Sequence, residues 1–148
     1  MPTIPIKRTT KMLGDAGEHY AVSQFTFAGR PATKMPDGWE GYDLAVESGS
    51  GLVRVSIKTR SETDSWKASP WFNFDDRREC DWIGFLFLPR KGALRSWIVP
   101  YDVAKERANV PGPNRKDAHL RDLYLKKLCI APLAGYESNW ALARNAAG

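Results

Sequence analysis

From Trp82 to Leu88 the chain carries no charged side chain. The run is far too short to span a bilayer, which needs about 20 apolar residues. A helix on a globular surface would alternate apolar and polar faces, so a short unbroken apolar run reads as a strand covered on both sides. Residues 94–99 repeat the signal after the turn Pro89-Arg90-Lys91-Gly92, and both strands are expected at or near the centre of a sheet. A sheet buried on two faces needs layers above and below it, and an α/β fold is expected.

The other elements fit around that sheet. Residues 10–28 show helical spacing and end at Gly29, a natural C-cap, and a short strand follows at 32–35. Pro36-Asp37-Gly38 makes a turn. Residues 42–47 and 52–60 read as two strands joined by Ser48-Gly49-Ser50-Gly51, a hairpin signal. Residues 61–80 read as an extended loop with one strand at 71–74. Beyond Pro100, helices are expected at 101–108, 119–128 and 136–146, with a Pro/Gly/basic loop at 111–116.

The 148 residues, 43% hydrophobic, suffice for one core, so a single domain is expected over residues 1–148. Cys80 and Cys129 are too few and too far apart for a disulfide framework or a Cys-rich zinc site. No stretch has the pattern of a signal peptide or a membrane span, and a cytoplasmic protein is expected. A net charge of +5 and a pI near 9.3 favour a polyanionic partner.

Three polar residues fall where the pattern expects apolar ones. Steps of three and four put Gly14, Glu18, Ala21, Val22 and Phe25 on one helix face, so Glu18 lies on an inward stripe. A carboxylate there either holds a cation or hydrogen bond, or belongs to a partly exposed position one step from the stripe. Asp43 stands inside Gly41-Tyr42-Asp43-Leu44-Ala45-Val46, a strand that otherwise reads as core, although aspartate is disfavoured in strands. Alternation on the next strand places Val53, Val55 and Ile57 on one face and Arg54, Ser56, Lys58 and Arg60 on the other. Lys58 is either a solvated face residue or the third member of a site. Two carboxylates and a lysine are the groups phosphodiester hydrolysis needs: carboxylates hold magnesium, and an ammonium meets the developing charge. The Ile57 carbonyl can complete the oxygen shell.

Gly14-Asp15-Ala16-Gly17-Glu18, Gly41-Tyr42-Asp43-Leu44 and Val55-Ser56-Ile57-Lys58-Thr59 together resemble the PD-(D/E)XK nuclease superfamily, most closely the branch with Holliday-junction resolvases and small intron-encoded homing endonucleases. The resemblance runs from Met12 to Val99. It implies a restriction-endonuclease-like core with a mixed central sheet flanked by helices, Glu18 and Asp43 as ligands of Mg2+ or Mn2+, and Lys58 as the catalytic lysine. It departs at Ser56, where the family carries Glu or Gln. A serine hydroxyl is a neutral, weak auxiliary ligand, and Glu47 or Glu62 would have to supply any displaced carboxylate.

The expected activity is metal-dependent endonucleolytic cleavage of DNA. Its alternative is a catalytically silent protein of the same fold that binds DNA or protein. A third reading makes Glu18, Asp43 and Lys58 a buried ion-pair network. Arg54, Arg60, Lys67, Arg115 and Lys116 are candidate DNA contacts, and a homodimer or higher even oligomer is expected, with Trp66, Trp71 and Phe72 as candidate interface anchors. Asp75-Asp76-Arg77-Arg78 reads as a solvated turn. His19 and His119 lack metal-ligand spacing.

Overall fold

A computed structural model describes residues 3–4, 6–62, 70–110 and 119–145. The first element is helix α1 (Thr10–Phe27), opened by Thr9, whose hydroxyl accepts from the Met12 N–H. It closes as a Schellman motif: Gly29, at φ 79°, donates to Thr26, and Arg30 donates to the Phe25 carbonyl at 2.8 Å. Five strands follow in one sheet: β1 (Ala32–Lys34), β2 (Leu44–Glu47), β3 (Leu52–Ser61), β5 (Trp82–Leu88) and β6 (Arg95–Pro100), in the spatial order β1-β2-β3-β5-β6. All neighbours are antiparallel except β3 and β5, which run parallel in register from Val55–Trp82 to Ser61–Leu88. The sheet is therefore mixed, and the fold is α/β.

The apolar run at β5 is buried on both faces, as its composition requires. On one face Trp82 and Leu86 join Val55, Ile57 and Ile98 against Ala21 and Phe25 of α1. On the other, Ile83, Phe85 and Phe87 pack with Trp97 and Val99 against Phe72 and Phe74 of β4 (Trp71–Asp75) and Leu123 of β7 (Leu120–Tyr124). Strands β4 and β7 pair antiparallel as a separate two-stranded sheet. Helix α2 (Tyr101–Arg107) adds Tyr101 and Ala104 to this side.

The C-terminal third departs from the helices expected of it. Residues 120–124 form β7, with only Leu125–Leu128 helical (α3), because they pair with β4 from Leu120–Asp75 to Tyr124–Trp71 and bury Leu123. A 3₁₀ turn at Leu133–Tyr136 replaces the start of the last helix, and Ser138 and Leu142, both near φ 56–59°, stop its continuation among the described residues. This segment also explains why β6 is buried although it stands at the sheet's edge: Ser138 donates to the Ser96 carbonyl at 2.8 Å, and Asn139 reaches the Ile98 carbonyl at 3.1 Å. Among the described residues no helix is long and apolar enough to cross a membrane.

Candidate active site

Asp43 occupies the point where the β2–β3 ladder ends. Pairing stops at Leu44–Val55, so the N–H of Ile57 points past the end of β2. The Asp43 carboxylate takes that position: Oδ2 accepts from the Ile57 N–H at 2.7 Å and from the Ser56 hydroxyl at 3.3 Å. Its backbone is held on both sides, by its own N–H to the Val55 carbonyl at 2.9 Å and by the Met35 N–H to its carbonyl at 2.8 Å. One oxygen is thus fixed by the strand. Ser56 is 1% exposed and holds the carboxylate from beneath. In a strand the carbonyl of a residue leaves on the same side as its N–H, so the Ile57 carbonyl also faces the end of β2.

Glu18 reaches the same place from α1. The buried stripe of the helix is Gly17, Ala21 and Phe25, with Glu18 partly buried at its margin. Both carboxylates line a cavity of about 280 Å³, with Lys11, Asp37, Trp39 and Tyr42 among its other walls. Burial and then the neighbouring Asp43 push the Glu18 carboxyl up to about 7, while Lys34 pulls against them. The lysines nearby are already engaged: Lys11 bonds Asp15 at 2.8 Å and Asp37 at 3.4 Å, and Lys34 meets Asp37 at 3.2 Å. Neither lysine forms an ion pair with Glu18 or Asp43.

That donor set fits a divalent cation of the magnesium type, which keeps several waters and takes one or two protein carboxylates. The fit is sparse. Among the described residues no three His, Cys, Asp or Glu side chains form a metal-holding cluster.

Lys58 comes to Asp43 from the other side. It faces away from α1, in register with Phe85, and is not among the described residues lining the cavity. Burial holds its pKa down, Arg78 adds to that, and Asp43 opposes it. Asp43 is thus the common neighbour of Glu18 and Lys58, which make no ion pair with one another. The three side chains are gathered at one strand end but not in one cavity, and an ion-pair network among them is absent.

The candidate DNA contacts fare unevenly. Arg54 is tied to Asp81, through its N–H at 2.8 Å and its Nη2 at 3.2 Å. Arg60 is exposed. Lys67, Arg115 and Lys116, like Trp66, lie outside the described residues. Trp71 is exposed beside Tyr124, whereas Phe72 is a core residue packed on Phe85 and cannot anchor an interface. Glu47 bonds the Gly49 N–H and Glu62 neighbours Arg90, so neither reaches the carboxylate cavity. His119 stands 4.0 Å from Asp75, away from both carboxylates.

Arg78 and Trp39 were not singled out by their sequence setting. Arg77 and Arg78 look alike in a charged run, yet Arg77 is exposed and forks onto Asp75 while Arg78 is half-buried, its N–H donating to the Tyr101 hydroxyl. The signal available was position: Arg78 lies two residues before buried Cys80, at the approach to β5.

No family model matches the chain, and no curated protein matches it. Among solved structures it is similar to a bacterial homing endonuclease, I-Ssp6803I, with a TM-score of 0.55 and 20% identity over 90% of each chain. At that identity the likeness is one of fold.

Proposed function

We propose that the chain is a metal-dependent DNA endonuclease with a PD-(D/E)XK core, acting as one domain over residues 1–148. The observation that carries this reading is the shared cavity: Glu18 and Asp43 converge on one space in which burial, and then the neighbouring Asp43, push the Glu18 carboxyl up to about 7. Two crowded carboxylates favour a divalent cation over their own repulsion. The fold likeness to a homing endonuclease supports the same reading.

In this reading Glu18, one Asp43 oxygen and the Ile57 carbonyl hold Mg2+ or Mn2+. A bound cation would polarise a phosphoryl oxygen and acidify a water. The protein's own part is orientation and charge. Ile57 and Ser56 fix one oxygen of Asp43, which holds the carboxylate at the cavity wall without reorganisation. Lys58 supplies positive charge on the far side of Asp43, where negative charge accumulates on the phosphoryl group. Its lowered pKa reflects the burial that makes such a charge effective. Ser56 acts here as a positioning group more than as a ligand.

Arg60 and the basic segments holding Lys67, Arg115 and Lys116 are proposed to contact phosphates, and duplex cleavage by so small a domain is proposed to use a homodimer. Free Cys80 and Cys129 suit a reducing, cytoplasmic setting. The sparse donor set favours the second reading, a silent DNA-binding protein of the same fold. Cleavage of plasmid and branched DNA with Mg2+ and with Mn2+ separates them. Nicking that Asp43→Ala abolishes supports the endonuclease. No cleavage above that background with either metal, with salt-sensitive binding retained, supports the silent protein.

A further inference from the structure

Trp39 stands where two cavities meet. It lines the carboxylate cavity of about 280 Å³ and also a larger one of about 770 Å³, within the roughly 300–1,000 Å³ range of ligand sites. Its indole is 49% exposed, and among the described residues its ring partner is Tyr42, edge to face at 6.2 Å. The loop beneath it is held at several points. The Trp39 N–H donates to the Pro36 carbonyl at 3.0 Å across a turn that Gly38, at φ 82°, permits. Asp37 in the same turn is tied to Lys11 and Lys34. A large aromatic ring is thus presented to solvent by a fixed backbone beside the carboxylates.

The rest of the larger cavity is polar and mixed in charge. Its walls come from residues 38–41 and from residues 75 and 77–79. These two loops meet where a Cβ on Gly41 would lie 3.7 Å from the Glu79 carbonyl oxygen. The Tyr101 hydroxyl accepts from the Arg78 N–H at 3.1 Å and donates to the Asp75 carbonyl, so the second loop is pinned to α2. Arg77 forks onto Asp75 at 3.1 and 2.9 Å, and these two charges cancel. Glu40 and Glu79, both exposed, remain against Arg78, and neither carboxylate has an ion pair or hydrogen bond among the described residues. The balance is one negative charge, which disfavours a phosphate in this space. What suits these walls is a flat, uncharged ligand with N–H donors on its edge. Its face covers the indole, and its donors meet carboxylates that can only accept.

We propose that this cavity receives an unpaired nucleobase of the DNA substrate, stacked on Trp39, with an exocyclic amino group, as on cytosine or adenine, donating to Glu40 or Glu79. Thymine lacks that donor and is disfavoured. The proposal rests on the nuclease reading of the Asp43 site for the identity of its ligand. A base seated against Trp39 brings its own sugar and phosphate toward the adjoining carboxylate cavity. Trp39 therefore helps set the place of the scissile phosphodiester, and Glu40 and Glu79 set the base preference.

The test is titration of the full-length protein, without divalent metal, with single-stranded oligodeoxycytidylate and oligothymidylate of equal length. Binding is read by anisotropy and by the indole N–H resonance of Trp39, which its loss in Trp39→Phe identifies. The cytosine strand is expected to bind about fivefold more tightly than the thymine strand and to shift that resonance saturably. Trp39→Ala should weaken its binding about tenfold, and Trp39→Phe, which keeps an aromatic face, by less. Glu40→Ala and Glu79→Ala combined should remove the preference for cytosine. Phe27 is 87% exposed at the end of α1, and Phe27→Ala should change neither affinity. If Trp39→Ala fails to fold, the wild-type indole shift and the glutamate variant still decide. An unmoved indole resonance, equal binding of the two strands, or equal binding by a folded Trp39→Ala overturns the base site. Asp43 lines only the smaller cavity, so Asp43→Ala should keep the cytosine preference. If it does and the wild type cleaves no DNA with Mg2+ or Mn2+, the nuclease reading falls while the base site stands. If the wild type cleaves and Trp39→Ala matches it in kcat, KM and strand affinity, the base site falls alone.

Discussion

Gly17 lies so close to Thr59 that a Cβ added to it would stand 1.9 Å from the Thr59 Oγ1. Helix α1 therefore rests directly on β3, and the next residue, Glu18, gains its reach from that closeness. Gly17→Ala must lift the helix. A loss of about 1–3 kcal/mol is expected in urea unfolding, together with weaker metal binding as Glu18 withdraws. Adding Thr59→Ala should restore only part of the loss, since the residue 59 Cβ remains, 2.9 Å from the new methyl. Unchanged stability in Gly17→Ala would disprove the contact.

The Glu18 carboxyl ionises near 7 in the folded chain, against about 4.3 when unfolded. Between those values the folded state holds a proton that the unfolded state has released. The corresponding stability is complete below about pH 4 and is lost as pH rises through 7. Glu18→Gln cannot ionise and escapes that loss. It should match the wild type near pH 4 and exceed it by about 1–2 kcal/mol at pH 8, after allowance for solvent at the cavity. Magnesium should narrow the gap by favouring the wild-type carboxylate. Stability curves that run parallel from pH 4 to 8 would contradict this account.

Asp43→Asn and Asp43→Ala separate charge from architecture. Asparagine keeps an oxygen for the Ile57 N–H, while alanine leaves that N–H without its 2.7 Å partner. Both should lose metal-dependent cleavage. Only Asp43→Ala should also lose stability, by about 1–2 kcal/mol in thermal or denaturant unfolding.

Ser56→Glu would install the carboxylate that the PD-(D/E)XK pattern carries there. Because Ser56 is buried against Asp43, the metal-free variant should be less stable than the wild type by roughly 2–4 kcal/mol. Manganese should recover much of this by offsetting the charge of the two carboxylates, and Mn2+-supported nicking should rise. Melting temperatures with and without Mn2+ check both halves. A metal-free variant as stable as the wild type would mean that the new side chain has left the site.

The proposed dimer predicts twice the chain mass in light scattering at high protein concentration. A monomeric mass with and without DNA would require each strand to be cut in a separate encounter.

Much of the sheet was legible because its signals are local. The β5 run, the Ser48-Gly49-Ser50-Gly51 hairpin and the Gly29 cap each follow from a few adjacent residues. Asp43 was legible because an aspartate inside an apolar strand asks for a reason, and the end of the β2–β3 ladder supplies it. The C-terminal third was not, because residues 120–124 become a strand only by pairing with β4, a partner distant in sequence. The same limit hid the arrangement of Glu18 and Lys58. Periodicity assigns each a face of its own element, but only packing shows that α1 lies on one side of β3 and Lys58 on the other. Arg78 was hidden by Arg77, its twin in composition.

Strand β3 bonds on one side to the hairpin partner just before it and on the other to β5, which follows only after β4 and its turn. The chain leaves the ribosome from its N-terminus, so the two sides are completed at different times. The Asp43–Ile57 bond needs only the hairpin, whereas α1 docks on Trp82, Leu86 and Ile98 as well as on Val55 and Ile57, so Glu18 is seated only once β5 and β6 are in place. The surroundings of Lys58 need β5, and the Arg78 turn is pinned only when Tyr101 has emerged. Asp43 is thus fixed first and its neighbours join it later, so a working centre of the proposed kind would belong to the finished molecule alone.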